Sequence, residues 1–332
     1  MNALRESIAA LTASDDVAAS AVRLRAASVL RPTGALKSLD EIAVLLAAWQ
    51  GTTTPDVVRP AVLVFAGDHG VAAAGVSAYP STITAEMLAA VQAGRATVNA
   101  MASRARASVS VVDVGVGAPT ADIRFEPAVS AERFEAIVAI AFAEVDAVVA
   151  SGADLLILGE LGIGNTTAAA AVCAHLLGGS VDSWTGRGTG VDDEGLERKR
   201  TVVAEAISRI ASVSDPLETL RQVGGSELIA IAGACARARH HRLPVLLDGY
   251  VATSAVLPLQ LVDGSALDHC LAGHVSAEGG HRGLLDRMRM HPIIDLDLRL
   301  GEASGALAAL PIVQMACVAV TNVATFDEWF SR

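Results

Sequence analysis

From Ala61 onward the chain repeats one arrangement: a short apolar run stopped by glycine or an acid, then a stretch long enough for a helix. AVLVFA (61–66) runs into Gly67-Asp68-His69-Gly70, VSVVDV (109–114) into Gly115-Val116-Gly117, and DLLIL (154–158) into Gly159-Glu160-Leu161-Gly162-Ile163-Gly164-Asn165-Thr166-Thr167. VLL (245–247) ends at Asp248-Gly249, and HCLA (269–272) at Gly273-His274. Continuous apolar runs of this length suit strands covered on both faces, and the spacing between them suits crossover helices. The pattern therefore predicts βαβ units and an α/β fold with a parallel sheet. Ligands of such sheets bind beyond the carboxyl ends of the strands, where glycine permits tight turns and close backbone approach. Five such ends on one edge predict a single polar, glycine-lined crevice.

The ends of the chain read differently. Apolar residues recur at helical spacing through Ile8, Leu11, Val17, Val22 and Leu24, and again through Leu39, Ile42, Leu45 and Leu46, with a breaker at Arg31-Pro32-Thr33-Gly34. Ala306 to Phe326 carries no charge and is long enough to span a bilayer, yet Pro311, Gln314, Thr321 and Asn322 interrupt it and no basic residues flank it closely. It reads as a buried core helix. The expected organisation is residues 1–30 as N-terminal helices of a small unit, 31–305 as a large α/β domain, and 306–332 as the C-terminal helix of that small unit.

With 25 Lys and Arg against 36 Asp and Glu, the net charge of −11 supplies no positive field for a nucleic-acid backbone or an anionic membrane. Aromatic residues, at 3%, are too sparse for a base-stacking platform. Cys173, Cys235, Cys270 and Cys317 are widely spaced, which reads as buried thiols in a reducing compartment, each in an apolar setting that raises its pKa. The start, MNALRESIAALTASDD, lacks the apolar core of a secretory signal, so cytoplasmic residence is expected.

GELGIGNTTAAAA (159–171) combines a strand end, glycines, Asn165 and two threonines with an alanine helix. Free N–H groups at such a helix start suit a phosphate, although a plain glycine turn with Thr166 or Thr167 as N-cap fits too. It is not a P-loop, since no Gly-Lys-Ser/Thr follows. Gly186-Arg187-Gly188-Thr189-Gly190 matches a dinucleotide fingerprint loosely, without a clear strand before it. The run Glu197-Arg198-Lys199-Arg200 suits a solvated helix face from which Lys199 reaches a phosphate. His274, Glu278 and His281 share helical spacing, but Gly279-Gly280 argues against a continuous helix and so against a metal site. His69 reads as a loop hydrogen-bonding residue. Glu302, between Gly301 and the long uncharged stretch, is either a helix cap or a desolvated carboxylate suited to general-base work.

Together these segments resemble the nicotinate-nucleotide–dimethylbenzimidazole phosphoribosyltransferases of cobalamin lower-ligand assembly. The resemblance runs from Pro32-Thr33-Gly34-Ala35-Leu36 through VFAGDHGVAAAGVSAYP (64–80), GELGIGNTTAAAA, TGRGTGVDDEGLERK (185–199), VGGSELIAIAGA (223–234), LDGYVATSA (247–255), HVSAEGGH (274–281) and RLGEASGALAALP (299–311). It implies a Rossmann-like parallel sheet with flanking helices, a small helical domain from both chain ends, and a homodimer. It also implies transfer of the phosphoribosyl group of nicotinate mononucleotide to 5,6-dimethylbenzimidazole, giving α-ribazole 5′-phosphate and nicotinate with inversion at C1′. No cofactor and no metal are expected.

By the same resemblance Glu302 is the general base and Glu160 lies near the nicotinate and ribose. Gly162, Gly164, Asn165, Thr166, Gly188 and Gly225 form the phosphate and ribose cradle, with Lys199, Asp248 and Ser276 as further polar positions, while Tyr79 and Met87 line the base pocket. Two departures stand out: Ala303 replaces a usual second glycine after the glutamate, and Met87 stands where some relatives carry glutamine. The competing readings are the same transfer to another acceptor (adenine, another benzimidazole or a phenol), an NAD-dependent oxidoreductase suggested by GRGTG, and a non-catalytic nucleotide binder. The first strand ends in GDHG rather than in a dinucleotide turn, which counts against the oxidoreductase.

Overall fold

In the computed structural model, which describes residues 1–331, six strands form one all-parallel sheet. They are β1 (Pro60–Gly67), β2 (Ser108–Gly115), β3 (Leu155–Leu161), β4 (Val245–Leu247), β5 (Cys270–Val275) and β6 (Pro292–Asp295), in the order β2-β1-β3-β4-β5-β6. The five expected runs are all strands: VLL (245–247) keeps its ends, and the others shift by one to three residues. β6 is an addition to them: three half-covered residues and the exposed Asp295 at the sheet edge, behind His291, carry little apolar signal.

Side-chain alternation divides the core between the two faces of the sheet. Leu63, Phe65, Leu156, Leu158, Val245 and Leu247 point to one face, covered by the helices Ala131–Ala150, Asn165–Leu177, Ser226–His240 and Tyr250–Val262. Val62, Val64, Leu155, Ile157 and Leu246 point to the other, covered by Thr97–Ala105 and Ser304–Thr321. Both faces are dry, which is why these strands read as continuous apolar runs. Alanine supplies much of the helical side of this packing: Ala168 to Ala171 are all fully buried, and their small side chains let neighbouring helices approach closely.

The uncharged helix Ser304–Thr321 is the one described helix long and apolar enough to cross a membrane, but more than half of its length is buried in the protein. Ala306, Leu307, Leu310 and Val313 pack on the sheet, and Val320 packs among Val22, Ala26, Ala43 and Ala47. The helical unit thus consists of Asp16–Ser28, Lys37–Gln50 and the far end of Ser304–Thr321, joined by a bridge between Val29 and Thr325. The packing departs from the expected boundaries at two points. The first helix, Asn2–Ala9, lies on the sheet domain, where Met1 pairs with Glu135 and Ser7 Oγ meets His240 Nε2 at 2.8 Å. Lys37–Gln50, expected in the large domain, packs within the helical unit.

The chain enters the sheet at β1, moves outward to β2, returns to the other side of β1 as β3, and then proceeds outward through β6. Strand order therefore reverses between β1 and β3, the place where a doubly wound sheet opens a ligand crevice.

Candidate active site

The turn after β3 supplies the floor of the site. Gly164, at φ +99°, swings the chain into the helix Asn165–Leu177. Neither threonine caps that helix. Thr167 is fully buried, and Thr166 Oγ1 instead accepts a 2.9 Å hydrogen bond from Lys199 Nζ. Lys199 comes from the helix Asp193–Arg209 and its side chain is wholly buried, unlike the exposed face expected for that basic run. Burial pulls its pKa down to about 8, against the opposing pull of the Glu278 carboxylate. Glu278 Oε1 accepts from Gly188 N at 2.5 Å, Glu278 N donates to Ser276 Oγ at 3.3 Å, and Glu278 Oε2 is buried with no protein partner. A buried ammonium and two hydroxyls thus meet here beside the Glu278 carboxylate, and the ammonium and hydroxyls suit a phosphorylated sugar.

Glu160 follows in the same floor. Asn165 Nδ2 donates to its carboxylate, and Gly301, at φ +84°, lies so close that a Cβ there would sit 2.6 Å from Glu160 Oε1. Burial first, then the charges of Asp248 and Glu227, push the Glu160 pKa well above the usual carboxylate range, with Asn165 opposing.

Gly301, Glu302 and Ala303 are three successive left-handed residues, at φ +84°, +57° and +64°. Glu302 N donates to the carbonyl of Glu160 at 3.2 Å, which ties this turn to β3. The Glu302 side chain is buried, and burial raises its pKa; the Val98 N–H opposes that rise and the Asp248 charge adds to it. Its Oε2 has no protein partner. Glu302 does not cap the helix Ser304–Thr321. Asp248, at the end of β4, does that, accepting from Ala306 N at 2.9 Å. Burial raises the Asp248 pKa while His274, 3.6 Å away, and the helix N–H groups oppose. Of the two readings of Glu302, the structure removes the cap. Ala303 tolerates its left-handed backbone at a cost of about 1 kcal/mol, and its buried methyl finds room because Gly159 opposite has none.

These groups surround a cavity of about 130 Å³. Of the residues singled out in the sequence, Met87, Glu160, Gly162, Asn165, Thr166, Gly188 and Ser276 line it. Lys199 stands behind Thr166, Asp248 lies under the helix start, and Glu302 adjoins the wall at Gly301. Gly164 and Gly225 both pack against His69 rather than the cavity. Tyr79 does not line it: the loop that carries it is held by Ala78 N donating to Thr189 Oγ1 at 3.0 Å, and the ring is 56% exposed.

Thr84, Tyr250, His274, Glu278 and Arg299 also line the cavity, although the sequence reading placed none of them there. Arg299 Nη1 donates to the Gly188 carbonyl at 3.1 Å. His281 starts a helix, with Gly280 as its N-cap; its Nδ1 accepts from Ser276 N at 2.8 Å and its Nε2 meets Thr253 Oγ1 at 3.1 Å. With both nitrogens engaged and its pKa pulled down to about 3 by burial, this ring orients Ser276 and is not a ligand. Behind the turns after β1 and β3, His69 Nε2 and Glu227 Oε1 form a fully buried pair at 2.5 Å. Burial pushes the Cys173 and Cys317 thiols up to about 12, as expected. Cys235 is the exception, brought down to about 6 by hydrogen bonding with Cys270 and by His269.

A family model described as phosphoribosyltransferase matches residues 11–329. A protein of Cereibacter sphaeroides named nicotinate-nucleotide–dimethylbenzimidazole phosphoribosyltransferase is 46% identical over 315 residues, covering 95% of this chain and 92% of its own. One of the same name from Methylocella silvestris is 44% identical over 329 residues, covering 99% and 95%. The crystal structure of CobT from Thermus thermophilus superposes with a TM-score of 0.90 at 41% identity, covering 95% of this chain and 98% of that one.

Removing one partner of a buried ionisable pair leaves the other stranded, which typically costs roughly 3–5 kcal/mol. His69→Ala is therefore expected to lower unfolding free energy by about that amount, measured by urea denaturation. A change under about 1 kcal/mol, the range of exposed pairs, would show that the pair carries no such burden.

Proposed function

This chain belongs to the nicotinate-nucleotide–dimethylbenzimidazole phosphoribosyltransferase family, and on that premise we propose that Glu302 is the general base of its transfer reaction. Nicotinate mononucleotide is the donor and 5,6-dimethylbenzimidazole the acceptor. The observation that carries this reading is the Glu302 carboxylate: buried, raised in pKa, without a protein partner on Oε2, and on the residue that follows Gly301 in the wall of the cavity floored by Glu160, Asn165 and Thr166.

The chemistry asks little of the protein beyond placement. The C1′–N bond of the donor breaks with its electron pair returning to a pyridinium nitrogen, so the leaving ring departs neutral at that atom and needs no general acid. The lone pair of one benzimidazole nitrogen forms the new bond to C1′ from the opposite face, and the N–H proton of the other passes to Glu302. Proton removal by a positioned base contributes about 10² to 10⁴-fold, and alignment of the two rings across C1′ supplies much of the remainder. Lys199, Thr166 and Ser276 hold the phosphate and ribose, with Gly188 beside them, and Glu160, whose pKa burial raises, faces the donor. Met87 and Ile83, from one turn of the helix Ile83–Gln92, make an apolar wall that favours a methylated benzimidazole over a purine acceptor.

Glu302→Gln is expected to lower kcat by at least about 100-fold while leaving donor binding near its original strength, read by steady-state kinetics with chromatographic detection of α-ribazole phosphate; unchanged turnover would remove Glu302 from the base role. In the unaltered enzyme, kcat/KM should fall with decreasing pH through a group titrating above the ordinary carboxylate range.

Lys199 must be charged to hold a phosphate, and its pKa before binding is about 8. The donor KM should therefore rise as pH increases through that value, with proton uptake on binding just above it. A donor KM that stays flat from about pH 7 to beyond about pH 9, a unit either side of the pKa, would separate Lys199 from the phosphate. Met87→Gln should shift preference among acceptor bases with little change in donor KM, and an unaltered acceptor profile would move the acceptor wall elsewhere.

A further inference from the structure

Away from the active site, three ligating side chains converge from two separate elements. Cys235 lies in the helix Ser226–His240, and His269 and Cys270 lie at the entry to β5. The two sulfurs are 3.5 Å apart, and each is 3.8 Å from His269 Nε2. A point equidistant from three atoms so spaced lies about 2.1 Å from each, against zinc bonds of roughly 2.3 Å to sulfur and 2.0–2.1 Å to imidazole nitrogen. We propose that Cys235, Cys270 and His269 form a binding site for a thiophilic divalent cation of the zinc class, distinct from the catalytic cavity.

Charge balance favours such an occupant. Cys235 and His269 are fully buried and Cys270 nearly so, and two thiolates with a neutral imidazole would offset a dication in full, so the loaded site is neutral and compatible with burial. In the metal-free protein, His269 Nε2–H donates to the Cys235 carbonyl at 3.0 Å, and Cys270 Sγ is also 3.7 Å from Nδ1. Binding thus requires the ring to turn: the Nε2–carbonyl bond is given up, the ring proton moves to Nδ1, and each thiol still protonated releases its proton.

One ligand residue borders open space. Cys270 lines a surface cavity of about 490 Å³ beside the helix Lys37–Gln50 and β6, and Met288, Met290 and His291, whose thioethers and imidazole suit such a cation, line the same cavity. A bound cation would staple the helix Ser226–His240 to β5, the strand that leads to His274 and Ser276.

The test is a titration of reduced, chelator-stripped protein with Co²⁺, followed by absorbance. The proposal expects one equivalent bound, with a thiolate-to-cobalt charge-transfer band, displaced by Zn²⁺. Cys235→Ser and Cys270→Ser should each weaken binding by at least about tenfold, the lower end of losses seen when a metal site is disturbed, whereas Cys173→Ser and Cys317→Ser should leave it unchanged. Phosphoribosyl transfer by folded Cys235→Ser protein should persist. Absence of the charge-transfer band in the folded, unaltered protein overturns the proposal whatever the variants do, as does a band that survives in the Cys235→Ser, Cys270→Ser double variant. Conversion of the pair to a disulfide, with no cobalt taken up by the reduced form, overturns it too.

Discussion

Six carboxyl groups, Asp68, Glu160, Glu227, Asp248, Glu278 and Glu302, are buried around one end of the sheet, together with the side chains of Lys199, His69, His274 and His281. A buried carboxylate needs a cation or several N–H donors, or else it holds its proton. The distribution of partners decides what each group does. Glu227 takes His69, Asp248 takes a helix N-terminus together with His274, and Glu278 takes the Gly188 backbone. Glu160 has one amide, and Glu302 has the Val98 N–H on one side and nothing in the protein on the other. Burial raises the pKa of both Glu160 and Glu302, as it does that of Asp248.

The sheet makes that crowding possible. Because all strands run in one direction, the turns after β1, β3, β4 and β5 open on the same edge, and the reversal of strand order between β1 and β3 keeps two of those turns from being filled by their own helices. Glycine occupies the tightest of these places. A Cβ at Gly305 would overlap the His274 ring, so the helix Ser304–Thr321 reaches Asp248 only because that position has no side chain.

Much of this was readable from the chain. The abrupt ends of the apolar runs located five strands and the functional edge, because central parallel strands are apolar on both faces and the loops after them are rich in glycine. β6 escaped because a four-residue edge strand with no fully buried residue needs neither property. Motif resemblance led to Glu160, Thr166, Gly188 and Ser276, all of which line the cavity. Glu278 stood out only as one of three residues at helical spacing, since its true partner, Gly188 N, lies 90 residues away and leaves no local trace. The partnership of His69 with Glu227, separated by 158 residues, was invisible for the same reason. Tyr79 was placed by neighbourhood in sequence, and a side-chain bond from Thr189 to its loop turned that neighbourhood outward. The cysteines looked scattered because a helix and a strand start bring Cys235 and Cys270 together only in three dimensions.

The helix Ser304–Thr321 begins at the Glu302 turn and ends among the side chains of the helical unit. Its 18 residues make a rod about 27 Å long at a rise of roughly 1.5 Å per residue. One end is clamped by Asp248 and His274, and the other by Val22, Ala26 and Ala43. Between these ends Ala306, Leu307, Leu310 and Val313 pack on the sheet, so one continuous helix ties the turn bearing Glu302 to both the sheet and the helical unit. The scaffold behind that carboxylate therefore extends to packing near both chain termini, well beyond the residues that surround the cavity.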